Sequence, residues 1–223
     1  MSDKVWLIMP VVNEDLCRAN VPRWLAQGYH VCLLQDRTRF DVPGTMILQP
    51  WSHYAGYAFS VNFATRELQR HGLLGDVFVY AGEDMHPDPQ RNAQEVAERY
   101  RTHYPDLNGI VQPTGDDLNG TDRICGSPIV GRDAFKEFNN GFGIFWPGYN
   151  HYFADEELFN VSLRHGRLVQ DRDLMHYHDH WTRSGTPSKR PHHKLLEERW
   201  ANDKALFNHR KALDFPGSWK ESQ

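Results

Sequence analysis

Cysteine is scarce in this chain. The three residues present (Cys17, Cys32, Cys125) are scattered and odd in number, so no disulfide framework is implied. Nowhere does an apolar run approach the ~18 residues that a membrane helix requires. Internal repeats and low-complexity stretches are also missing. Met1-Ser2-Asp3-Lys4 followed by Val5 to Pro10 reads as too short for a signal peptide and has no small-residue cleavage site. Nor is there a large charge excess of either sign: 25 Lys+Arg face 29 Asp+Glu, a formal charge of −4. These absences exclude a secreted disulfide knot, a membrane span and whole-chain disorder. The expectation is a cytoplasmic globular protein.

What is there fits one domain. A chain of 223 residues, 39% hydrophobic and 24% charged, can bury a full core. Aromatics (12 Phe, 7 Trp, 9 Tyr) and 13 His are abundant. Both residue types serve ligand sites by stacking and coordination, and both also fill cores. Charge is uneven: residues 1–182 carry a net −8 and residues 183–223 a net +4. A basic end is either a solvated helix face or a surface for an anionic partner.

Strands and helices alternate. Val5–Met9 is a continuous apolar run, suited to a strand buried on both faces. Glu14 to Gln27 reads as a helix closed by Gly28. Strands follow at 29–35 and 46–48, a helix at 57–70 and a strand at 76–80. Asp88-Pro89 has the form of an N-cap and first helical residue, which predicts a helix from there to about His103. Short strands are expected at 110–111 and 128–130, a helix from Asp155 to His165, and extended segments at 168–169 and 174–180. A last helix is expected over about 192–213. The order predicts an α/β fold with a mostly parallel sheet covered on both faces. In such sheets ligands sit beyond the carboxyl ends of the strands. The residues there are polar: Asn13-Glu14, Asp36-Arg37 and Gly82-Glu83-Asp84.

Three segments carry chemistry. At the end of the strand over 76–80, Glu83 and Asp84 offer oxygen ligands that suit a hard divalent cation. Asp155-Glu156-Glu157 opens a helix, where a carboxylate serves as a proton acceptor or as a cap. His176, His178 and His180 alternate, so on a strand they share one face and two neighbours could clasp one ion. An aromatic, glycine-rich loop (residues 141–149) precedes Asp155. In it Trp146 and Tyr149 are candidates to meet an acceptor.

Taken together, these motifs resemble the GT-A fold glycosyltransferases, especially the family 2 type that uses nucleotide-diphospho-sugars. The matching stretches are Pro10-Val11-Val12-Asn13-Glu14 after the first strand, Asp36 after the second, Gly56 to Asn62 at the helix start, and Gly82-Glu83-Asp84. The family's first Asp is replaced by Gly82, and Ala154 replaces one acid of a pair beside Asp155. The resemblance implies a GT-A (Rossmann-like) fold over residues 1–182. Its nucleotide-sugar half would span about 1–112 and its acceptor half about 113–182. A basic loop and helix (183–223) would pack on the same domain.

The resemblance also implies site residues. Pro10, Val12, Asn13, Glu14, Asp36, Arg37, Gly56, Asn62, Glu83 and Asp84 would bind the nucleotide-sugar, a UDP-sugar first among them. Asp84 with His178, or with His176 or His180, would hold a divalent cation, Mn or Mg. Asp155 would be the base of an inverting hexosyl or pentosyl transfer, with Glu156 as the fallback. The acceptor would be a saccharide or a hydroxymethylated base in DNA. Two other readings stay open: a non-catalytic nucleotide- or metal-binding module, for which Gly82 and Ala154 speak, and a nucleotidyltransferase, which lacks its basic glycine-rich loop here.

Overall fold

The computed structural model describes residues 4–35, 39–49, 53, 55–73, 75–115, 123–179 and 193–220, with side chains in the last segment from Glu198 onward. Eight strands form one sheet: β1 (Val5–Val11), β2 (His30–Gln35), β3 (Thr45–Leu48), β4 (Val77–Tyr80), β5 (Met85–Pro87), β6 (Ile110–Thr114), β7 (Ile129–Gly131) and β8 (Leu168–His178). Their spatial order is β3-β2-β1-β4-β7-β6-β8-β5. β3, β2, β1 and β4 are parallel, as is the β6–β8 pair. β7 runs antiparallel between β4 and β6, and β5 antiparallel to β8. The mostly parallel α/β sheet expected from the sequence is therefore present.

The helices are α1 (Glu14–Ala26), α2 (Tyr57–Arg70), α3 (Ala93–His103), the short α4 (Ala134–Glu137), α5 (Ala154–Arg164) and α6 (His193–Ala212). Side-chain alternation along β1 explains the three layers. Leu7 and Met9 face a core shared with Cys17, Val21 and Trp24 of α1 and Val96 and Tyr100 of α3. Trp6 and Ile8 face the opposite core with Val61 and Leu68 of α2, Leu158 of α5 and Phe207 of α6. All three cysteines are buried thiols, in keeping with the absence of a disulfide framework.

Two boundaries differ from the sequence reading. α3 starts at Ala93 rather than Asp88. Its cap is Asn92, which accepts from the Glu95 amide while the Glu95 carboxylate accepts from the Asn92 amide. The residues before it are taken by β5, whose partner lies far along the chain. The extended segments expected at 168–169 and from 174 onward join in one strand that ends at His178 and carries a bulge. Pro113 pairs with Asp171, but Thr114 pairs with Met175. That slip bends β8 from β6 toward β5 and carries its last residues to the tip of β4.

Candidate functional site

The parallel strands β1, β2, β3 and β4 end on one edge, and most of the expected donor-site residues lie just beyond it. Asp36, Arg37 and His180 fall outside the described residues. At the β1 tip, Asn13 caps α1, its Oδ1 accepting from the Leu16 amide at 3.1 Å. Glu14 is exposed and paired with Arg18 one turn on. Pro10 lies in β1 beside Leu34 of β2. Glu83 spans two strand tips. It is buried, its carboxylate accepts from the Val12 amide at 2.6 Å, and its carbonyl accepts from Asn20 Nδ2 at 2.9 Å. It ties the tips of β1 and β4 together.

Asp84 and His178 meet. Asp84 follows β4, His178 ends β8, and His178 Nε2 lies 3.4 Å from Asp84 Oδ1. Both side chains are mostly covered, at 14% and 13% exposure. The backbone fixes the pairing, since the Asp179 amide donates to the Asp84 carbonyl at 2.8 Å. Gly82, where the family pattern has an acid, leaves room: a Cβ there would stand 2.8 Å from Asp84 Oδ1. His176 is different. Its Nδ1 is 2.6 Å from Ser127 Oγ, its ring edges against Trp24, and burial pushes its pKa down to about 4. It is a buried core histidine, one pleat repeat back along β8 from His178.

On the acceptor side, α5 begins one residue earlier than expected. Its cap is Phe153 in a left-handed conformation (φ 65°), so Asp155 lies inside the first turn rather than at the cap. Asp155 Oδ1 accepts from the Glu156 amide at 3.0 Å. Burial raises the Glu156 carboxyl above the usual carboxylate range, against the opposing pull of Lys211 and Arg123. The segment just after Arg123 links this turn to the strand tips. The Cys125 amide donates to the Asp155 carbonyl, Ser127 meets His176, and the Tyr80 amide donates to the Pro128 carbonyl.

Three of the expected site residues have partners within the fold. Asn62 is buried and bonds the Phe145 backbone through both amide atoms, so it holds the aromatic loop. Tyr149 is buried, with its hydroxyl donating to Glu157 at 2.7 Å. Trp146 has the Arg210 guanidinium over its ring at 3.4 Å. Tyr149 is thus enclosed, whereas Trp146 is partly exposed with Arg210 over its ring. Gly56 has φ 98°, and a Cβ there would collide with the Asn150 carbonyl that accepts the Tyr57 amide. Sequence reasoning missed Ser127, Glu157, Asp203 and Arg210 as structural partners. Only Glu157, next to the acidic pair, carried a local signal.

No protein-family model matches the chain, and no curated protein matches it. Solved structures do. A glycosyltransferase involved in the glycosylation of the major capsid of PBCV-1 aligns over 82% of this chain and 97% of its own, with a TM-score of 0.54 and 10% identity. The chain has a GT-A-like glycosyltransferase fold. A197 from STIV aligns over 78% of this chain and 85% of its own, at a TM-score of 0.49 and 12% identity. Asp84 and His178 stand beyond the carboxyl end of β4, the side on which open parallel α/β sheets bind ligands. Among the described residues no group of three or more His, Cys, Asp or Glu is arranged around a metal position. Asp84 and His178 bring one carboxylate and one imidazole together. That mixed pair suits a divalent cation that completes its shell with phosphate oxygens and water.

Proposed function

We propose that the protein is a metal-dependent, inverting glycosyltransferase. It moves a hexosyl or pentosyl group from a nucleotide-diphospho-sugar, a UDP-sugar by preference, to an acceptor hydroxyl. The observation that carries this reading is the close approach of Asp84 and His178 at the ligand edge of a GT-A-like sheet. The donor would lie over the tips of β1 and β4, whose spacing Glu83 sets, with Asp36 and Arg37 on the nucleoside.

A divalent cation, Mn or Mg, would be held by Asp84 and His178 and would neutralise charge on the departing diphosphate. Asp155 accepts the proton of the acceptor hydroxyl. The acceptor oxygen then bonds the anomeric carbon while the bond to diphosphate breaks on the opposite face, which inverts the centre. The bond from the Glu156 amide orients Asp155, and the N-terminal end of α5 favours its ionised form. Glu156 is the second choice of base. A saccharide is the favoured acceptor over DNA. Part of the basic excess in residues 183–223 is internal, since Arg210 is buried against Glu157.

The test is transfer from a panel of nucleotide-sugars to saccharide acceptors, with product configuration read by NMR. An inverted product, lost in Asp155→Asn while donor binding persists, is expected. Wild-type turnover by Asp155→Asn, or a retained configuration, would refute the base assignment.

A further inference from the structure

One stripe of α6 grips the loop and turn that carry the acidic pair. Trp200, Asp203, Phe207 and Arg210 recur at helical spacing and so share a face. Asp203 is buried, and its carboxylate accepts from three successive backbone amides: Asn150 at 3.0 Å, His151 at 2.8 Å and Tyr152 at 2.9 Å. Phe207 stacks on Phe153 with ring centroids 5.3 Å apart, and Trp200 lies 6.0 Å from the same ring. Arg210 makes a two-point pair with Glu157 at 2.9 and 2.8 Å. Every residue from Asn150 to Phe153, and then Glu157, is held by this one face.

The held segment is strained. Phe153 sits at φ 65°, a left-handed conformation that a residue with a Cβ rarely adopts. Such a conformation persists only when its surroundings determine it. Here the Asp203 carboxylate fixes the three amides before Phe153, and two α6 aromatics hold its ring. α5 then starts at Ala154, and Asp155 and Glu156 follow within the first turn. The same loop also reaches the donor half, because the Asn150 carbonyl accepts the Tyr57 amide at the start of α2.

We infer that α6 is a positioning clamp, with Asp203 as its central positioning residue: by holding residues 150–153 it sets where the α5 carboxylates stand relative to the donor edge. The inference rests on the glycosyl-transfer reading for its catalytic consequence, but not for its structural one. Asp203 touches no substrate and acts through Asp155. A misplacement of about 1 Å in a reacting group is enough to cost about 100-fold in rate.

The experiment combines amide hydrogen exchange with transfer kinetics on the full chain, wild type against Asp203→Asn and Asp203→Glu. Asparagine keeps the shape but turns an NH2 toward amides that need an acceptor; glutamate restores the acceptor. Rates are expressed per donor-binding site, so that lost fold does not mimic lost positioning. In Asp203→Asn, exchange should rise across 150–157 and stay unchanged in β1 and β4. The kcat for transfer should fall about 100-fold with the donor KM within about twofold, and Asp203→Glu should recover most of it. Should Asp203→Asn fail to fold, Trp200→Ala, at a half-exposed position, gives a milder form of the same pattern. Unchanged exchange at 150–157, or loosened exchange with an unaltered kcat per site, overturns the clamp. A wild-type protein inactive on every nucleotide-sugar would instead defeat the glycosyl-transfer reading, and the exchange data would still decide whether α6 holds the loop.

Discussion

The Glu83 carboxylate accepts the Val12 amide proton across 2.6 Å, joining residues that follow two neighbouring strands. The bond runs under the edge where the donor is proposed to lie. Glu83 is only 6% exposed, so this hydrogen bond is shielded from water. Replacing it leaves a donor without an acceptor. Glu83→Ala should cost about 1–3 kcal/mol of stability, and Glu83→Gln, which retains an acceptor oxygen, should cost less. Urea unfolding at constant m-value measures both. Equal midpoints for wild type and Glu83→Ala would show that the bond adds nothing.

His176 makes stability depend on mild acid. Burial holds its pKa down at about 4 despite a hydrogen bond to the Ser127 backbone that favours the charged ring, whereas the unfolded chain binds the proton near pH 6.5. The unfolded state therefore gains protons first on acidification. Stability should be level above about pH 6.5 and fall between there and pH 4, by about 2 kcal/mol at pH 5. His176→Gln cannot titrate and should lose that slope. Urea midpoints at pH 7.5 and pH 5 for the two proteins check this, and an equal drop in both would contradict it.

A carboxylate at the β8 bulge works at lower pH. Burial alone would raise Asp171, but hydrogen bonds from Arg99 and His103 outweigh it and hold its pKa at about 2. The stabilisation is present above the unfolded value near 3.9 and is lost as pH falls toward 2. Asp171→Asn should destabilise the protein at pH 7 by about 2 kcal/mol and flatten the acid limb between about pH 4 and 2. Circular dichroism during acid titration reads that limb. A variant as stable as wild type at pH 7 would remove this pair from the account.

Phe153 gives a test of backbone strain. Glycine accepts φ 65° without penalty but removes the ring that packs on Phe207. Phe153→Ala loses the ring and keeps the penalty. The alanine variant should therefore be less stable than the glycine variant by about 1 kcal/mol. Thermal or urea unfolding of the two compares them directly, and the reverse order would argue against a strained start to α5.

Local signals located most elements because local physics decides them. The α2 boundaries match the sequence reading, Tyr57–Arg70, since an amphipathic run sits between Gly56 and Gly72. The Asp84–His178 approach was legible as two separate strand-tip signals, each made by a residue type that suits a cation. What was illegible depends on distant partners. Asp88-Pro89 looks like a helix start, yet Met85–Pro87 pairs with residues near 177, and the true cap, Asn92 with Glu95, lies just beyond. Trp146 and Tyr149 look the same in sequence whether they meet a ligand or pair with Arg210 and Glu157 inside the fold. The partner that decides, Arg210, lies some sixty positions away in α6.

The central claim is that Asp84 and His178 together hold the cation that a nucleotide-sugar reaction needs. Diphosphate release from a panel of nucleotide-sugars, titrated with Mn, tests it most directly in wild type, Asp84→Ala and His178→Ala. The account predicts release from one donor class that rises with Mn in wild type, is abolished in Asp84→Ala, and needs at least about tenfold more Mn in His178→Ala. Release that ignores Mn, or that survives unchanged in Asp84→Ala, would contradict it.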